Sequence, residues 1–179
     1  MSYCEMVRQG IGDQHRLYHD TEYGFPLATD AELFGRLLLE INQAGLSWTT
    51  ILNKKDNFER AYAGYDIDRV ARFNHRDRAR LMADTGIVRN RLKIEAAIEN
   101  ARRLREIRSR HGSFANWLDH HHPRELAEWT KLFKQTFCFT GGEIVREFLL
   151  STGYLAGAHD ADCPIFAKVK KRRPAWLRG

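Results

Sequence analysis

Apolar positions in this chain recur every three to four residues, the spacing of helices, and almost nowhere alternate with polar ones as strands require. Leu33, Phe34, Leu37, Leu38, Ile41 and Ala44 form one such stripe. It stands behind Thr29-Asp30-Ala31-Glu32, a capping box in which Thr29 and Glu32 satisfy each other's backbone N–H groups, and Gly45 stops it. Ser47 caps a short helix to about Asn53, and Asp56-Asn57-Phe58-Glu59 repeats the signal for another. Asp66 and Asn74 open two more, the second closed by Gly86. The longest predicted helix runs from Val88 to His111, with Ile94, Ala97, Ile98, Ala101 and Leu104 on its apolar side and Gly112 at its end. Ser113 caps a short helix through Leu118, and Pro123 suits the first turn of a helix carrying Leu126, Trp129, Leu132 and Phe133. Thr140-Gly141-Gly142 is a tight turn before a helix from Glu143 to Thr152, closed by Gly153. The fold class read from this pattern is all-α, compact and multi-helical.

The length of 179 residues suits one domain, 1–179, and the Lys/Arg-rich stretch after about residue 164 reads as a basic, frayed tail. Lys plus Arg number 29 against 23 Asp plus Glu, a net charge of +6 that raises the question of a nucleic-acid partner. Three irregularly spaced Cys argue against a disulfide framework and for a reducing compartment. The first residues lack the basic-then-apolar pattern of a signal peptide, and no stretch is long and apolar enough to span a membrane, so the expected location is cytoplasmic.

Four residues far apart in sequence carry metal-ligand chemistry: Cys4, His19, His159 and Cys163. His159 and Cys163 are close enough to share one ion, and two Cys with two His make a closed tetrahedral zinc set. The spacing alone also fits two free buried thiols and two surface histidines. His120-His121-His122 reads as an exposed loop before Pro123 rather than a second site.

Glu40 is the odd residue of its helix, at the margin of the apolar arc beside Leu33, Leu37 and Ala44. A carboxylate there is partly desolvated, which costs free energy unless it is paired or used. It is either a structural acid or a recognition acid. Trp48, just past the Gly45-Leu46-Ser47 break, is either core or a stacking platform, and an acid and an aromatic flanking a helix break suit a nucleobase. The turn at Gly141-Gly142 is either a plain helix corner or a phosphate seat made of backbone N–H groups.

Together, several strings resemble the constitutive 3-methyladenine DNA glycosylase family. They are Cys4, Tyr18-His19-Asp20-Thr21-Glu22-Tyr23-Gly24, Glu40-Ile41-Asn42-Gln43-Ala44-Gly45-Leu46-Ser47-Trp48, Gly86-Ile87-Val88-Arg89-Asn90-Arg91, and His159 with Cys163. The resemblance implies a helix-hairpin-helix glycosylase fold with a structural zinc at Cys4, His19, His159 and Cys163 stapling the two ends of the chain. It implies Glu40 as the base-recognition and catalytic acid, Trp48 and Tyr18 as pocket aromatics, and Gly141 and Gly142 as the DNA-binding hairpin. The family usually has a second pocket Tyr where this chain has His15, Trp where it has Tyr23, and small hydroxyl residues where it has Gly142-Glu143.

The activity so implied is monofunctional excision of 3-methyladenine from alkylated double-stranded DNA; a monomer, associated with the nucleoid through its DNA, is expected. Two rivals are a zinc hydrolase, against which a closed four-ligand set argues, and a non-catalytic helical DNA-binding module, which has no use for a desolvated acid.

Overall fold

The computed structural model describes residues 1–178, and those residues are helical with no strand among them. In order they form α1 (Tyr3–Arg8), α2 (Asp13–Thr21), α3 (Asp30–Gln43), α4 (Trp48–Ala61), a 3-10 turn (Ala63–Tyr65), α5 (Ile67–Ala71) and α6 (His75–Ala83). Then come α7 (Arg91–His111), α8 (Phe114–His121), α9 (Leu126–Thr136), α10 (Gly142–Ser151), α11 (Pro164–Lys171) and α12 (Ala175–Arg178).

Helix α3 is the axis of the fold. Its capping box forms as the sequence predicts, with the Glu32 N–H donating to Thr29 Oγ1 at 3.2 Å and the Thr29 N–H to Glu32 Oε2 at 2.9 Å. Helices α4, α7, α8 and α10 pack around it, so every residue from Leu33 to Asn42 is buried. A helix enclosed on all sides has no solvent face. Glu40 is therefore not at an apolar margin but inside, as are Arg36 and Gly35. Gly35 is required by a close approach, since a Cβ there would run into the Tyr65 ring. Phe58, Phe114, Trp129, Phe133 and Phe148 are fully enclosed in the main core. Burial of each contributes about 1.5–3 kcal/mol.

Several boundaries differ from the sequence reading. The two short helices after Ser47 are one, α4, because Ile51, Phe58 and Ala61 form a single buried stripe and the Asn57 amide is spent on the Gly86 carbonyl at 3.0 Å. Helix α6 ends at Ala83, where Asp84 turns back to accept from the Gly86 N–H at 2.8 Å. Helix α7 starts at Arg91 rather than Val88, because the Asn90 side chain accepts from the Lys93 N–H. Helix α8 runs on to His121, placing His120 and His121 in its last turn. Pro123 precedes α9 rather than opening it. The helix begins after Glu125, whose N–H donates to Glu128 at 3.2 Å.

The basic stretch after residue 164 is not a frayed tail. It folds as α11 and α12, with Ile165, Val169 and Ala175 buried and the Phe166 and Trp176 rings stacked at 6.2 Å. Its lysines occupy the solvent side of α11. The chain's first two helices, α1 and α2, are too short to show an apolar stripe in the sequence, although α1 carries a complete Ser2–Glu5 capping box.

Candidate metal cluster and base pocket

The two ends of the chain meet at the sulfur–imidazole quartet. Cys4 comes from α1, His19 from α2, and His159 and Cys163 from the segment after α10. All four are buried, and their ligand atoms lie within 4.8 Å of one another. Cys4 Sγ is 3.2 Å from His19 Nε2 and 3.6 Å from His159 Nδ1, and Cys163 Sγ is 3.8 Å from each. An ion bound tetrahedrally at about 2.0 Å to nitrogen and about 2.3 Å to sulfur spaces its ligands by about 3.3–3.8 Å.

The outer contacts fit the same arrangement. His19 Nδ1 faces Asp20 Oδ1 at 2.7 Å and His159 Nε2 faces the Tyr23 carbonyl at 2.7 Å, so each ring donates outward. The inward atoms, His19 Nε2 and His159 Nδ1, are then two lone pairs facing each other across 3.2 Å. Lone pairs so placed repel unless a cation sits between them, and outward donation of this kind orients metal-binding histidines. The quartet can hold a metal ion.

Beside the cluster, α1, α2, the C-terminal half of α3, the start of α4 and the middle of α10 enclose a cavity of about 390 Å³. The structure brings His15, Tyr18, Tyr23, Glu40 and Trp48 to this one cavity. Tyr18 meets the edge of Trp48 at 5.3 Å and lies 5.8 Å from Tyr23. Its hydroxyl is buried with no hydrogen-bond partner. The Arg36 guanidinium covers its ring at 5.0 Å and donates to the Ser151 carbonyl and to Glu22.

Glu40 is 4% exposed. Burial pushes its carboxyl up to about 8, Arg36 opposes that, and nearby Glu147 adds to it. Enclosure without a compensating hydrogen bond stabilises the neutral acid until a cation arrives.

Among the lining residues that the sequence reading does not assign to the pocket, Tyr3 and Glu147 bear most directly on its chemistry. Tyr3 places a phenol 3.0 Å from His15 Nδ1, and His15 Nε2 in turn faces Thr49 Oγ1 at 2.8 Å. Burial lowers the His15 pKa, and the neutral ring serves as a strut between α1 and α4. Glu147 of α10 is the other. The Ser2-x-x-Glu5 cap was a legible signal for Tyr3, whereas no local pattern marks Glu147.

Gly141 and Gly142 do not line this cavity. They form the exposed turn between α9 and α10, and α10 starts without a side-chain cap, so its first N–H groups are open. Phe139 and Lys134 flank the turn, and Glu143 sits in its first helical turn.

The cavity is walled by edge-on and tilted aromatic rings and holds a buried acid, a lining suited chemically to a flat, positively charged ligand. Residues 10–131 match the methyladenine glycosylase family model. DNA-3-methyladenine glycosylase 1 of Escherichia coli (strain K12) is 32% identical, with 82% of this chain and 88% of that protein covered. DNA-3-methyladenine glycosylase of Haemophilus influenzae is 30% identical, over 82% and 89%. The structure of 3-methyladenine DNA glycosylase I from Staphylococcus aureus superposes with a TM-score of 0.82 at 32% identity, covering 92% of this chain and 97% of that one. The chain belongs to the methyladenine glycosylase family.

Proposed function

We propose that this protein is a DNA glycosylase that hydrolyses the N-glycosidic bond of 3-methyladenine in alkylated double-stranded DNA. It acts as a monomer, one domain over 1–179, on the DNA of the cytoplasm. The observation that carries this reading is Glu40, an enclosed acid without a hydrogen-bond partner, aimed into a cavity walled by tyrosines and a tryptophan.

Methylation at N3 makes the base a cation and weakens its bond to the sugar. The damaged nucleotide leaves the stack, at a cost of a few kcal/mol, and its base enters the cavity. Trp48 and Tyr18 stack on it, while His15 and Tyr23 complete the walls. The positive charge reverses the balance at Glu40, which gives its proton to solvent water as the cation enters and, as a carboxylate, accepts hydrogen bonds from the base. When the C1′–N bond breaks, its electron pair passes to the base and neutralises it. Water adds to the electron-poor C1′ and loses one proton to bulk solvent, so the products are the neutral free base, the sugar hydroxyl and one solvated proton. The leaving group is already activated, so no strong general acid is needed.

The remaining parts serve binding and stability. Gly141 and Gly142 seat a phosphate on the open N–H groups of α10. Zinc suits the quartet: two thiolates and two imidazoles at tetrahedral spacing make a closed structural site. Closure of all four positions by protein ligands disfavours a zinc hydrolase. The buried acid disfavours a simple DNA-binding module.

The test is chromatography of the bases released from methylated duplex DNA. Free 3-methyladenine is the expected product. A cooperatively folded protein that releases none would overturn the reading.

A further inference from the structure

Helix α10 presents two faces. Val145, Phe148 and Leu149 are fully enclosed against the main core. Glu147 and Leu150, one turn apart, face the other way, and Leu150 packs with Tyr18 and Tyr23. This second face brings a second carboxylate to the same cavity as Glu40.

Its surroundings differ from those of Glu40. Tyr23 Oη donates to Glu147 Oε2 at 3.3 Å, and Arg146 Nη1 donates to Glu147 Oε1 at 2.6 Å. Glu147 is only half-buried, so it stands nearer solvent than Glu40. Burial pushes its carboxyl upward as well, and its charge opposes ionisation of Glu40. Two acids that repel across an aromatic cavity gain most from a ligand that is itself positive. The wall Tyr23 is tied to the second acid rather than free, so its ring is oriented by that acid.

We propose that Glu147 is a second specificity-determining acid, which engages the cationic alkylpurine together with Glu40 and raises the preference of the pocket for charged over neutral bases. The proposal rests on the glycosylase reading above. Glu40 closes the enclosed part of the cavity, and Glu147 supplies negative charge on the α10 side. A pocket with one acid recognises a donor edge. With two, it also selects for charge, because a neutral purine leaves Glu40 without a partner and makes no use of the negative potential that Glu147, already held by Tyr23 and Arg146, adds beside it.

The experiment compares the parent with Glu147→Gln, Glu147→Asp and Tyr23→Phe. Each is assayed for release of 3-methyladenine from methylated duplex DNA, at subsaturating and saturating enzyme, alongside thermal unfolding. The expected result for Glu147→Gln is a loss of about tenfold at subsaturating enzyme, the size of one charge-assisted hydrogen bond, with a smaller loss at saturation and an unchanged unfolding midpoint. Glu147→Asp keeps the charge and recovers most of the loss. Tyr23→Phe leaves Glu147 in place and loses less than Glu147→Gln. Parent-like release by Glu147→Gln would overturn the proposal, as would a loss that tracks unfolding. An equal loss in Tyr23→Phe would overturn it too, because Glu147 would then only orient that ring. If the parent itself releases no 3-methyladenine, the glycosylase reading fails instead.

Discussion

Lys93 holds the end of the helix that carries Glu40: its ammonium donates to the Ala44 carbonyl at 2.6 Å and to the Asn42 carbonyl at 2.9 Å. These are carbonyls left over where α3 stops, and a buried cation there also suits the negative end of the helix. Lys93 comes from the first turns of α7, so the break at Gly45 is fixed by a distant helix and not by the glycine alone.

Lys93→Met keeps the length of the side chain and removes both bonds. Leaving two carbonyls unsatisfied is expected to lower unfolding free energy by about 2–3 kcal/mol. Trp48 and Glu40 also lose their fixed spacing, so KM for methylated DNA is expected to rise more than kcat falls. Denaturant titration and steady-state kinetics on one preparation check both.

Glu40→Gln separates recognition from folding. The amide is nearly isosteric and cannot carry charge, so kcat/KM for 3-methyladenine release is expected to fall about 10- to 100-fold. The fold gains from the same change as pH rises above the range in which the unfolded carboxyl ionises. In the unfolded chain the carboxyl ionises near 4.5, and in the empty folded pocket near 8. The folded state thus holds a proton that the unfolded state loses, and the parent becomes less stable as pH rises across that window. The stability of Glu40→Gln relative to the parent should widen between pH 5 and 8, reaching about 2–5 kcal/mol. A flat difference in chemical denaturation across that range would show that Glu40 is ionised in the empty pocket.

The metal quartet makes a stability prediction. Protein purified without chelators should contain one zinc per chain by metal analysis. Cys163→Ala, or exhaustive chelation, should lower the unfolding midpoint by about 10 °C or more, since a closed site contributes directly to folding and 1 kcal/mol is worth about 2–4 °C at this size. Activity should fall in proportion to folded protein and no further.

The turn before α10 makes the last one. Affinity for undamaged duplex should fall steeply with salt, because neutralised phosphates release counterions. Glu143, exposed beside the open N–H groups, repels a phosphate there. Glu143→Gln is expected to tighten duplex binding about two- to fivefold, read by anisotropy at fixed salt. Unchanged affinity would move the phosphate seat away from Gly141-Gly142.

What the sequence settled by itself was local. The caps at Thr29, Ser47, Asp66, Asn74 and Ser113 form as written, because each is a side chain meeting a backbone group two or three residues away. The family strings also carry Tyr18, Glu40 and Trp48 and the metal quartet. What tertiary structure alone decided depends on contacts between residues distant in sequence. Arg36 reaches Ser151, Tyr23 reaches Glu147, and Lys93 reaches Ala44. The amphipathic reading of α3 placed Glu40 at a margin because periodicity reports one partner face at a time. Enclosure by four helices put it inside, and that desolvation gives the carboxyl its chemistry. Likewise, basic residues after Pro164 look like a solvated tail in one dimension, yet Ile165 and Val169 find their partners only when the two ends of the chain meet.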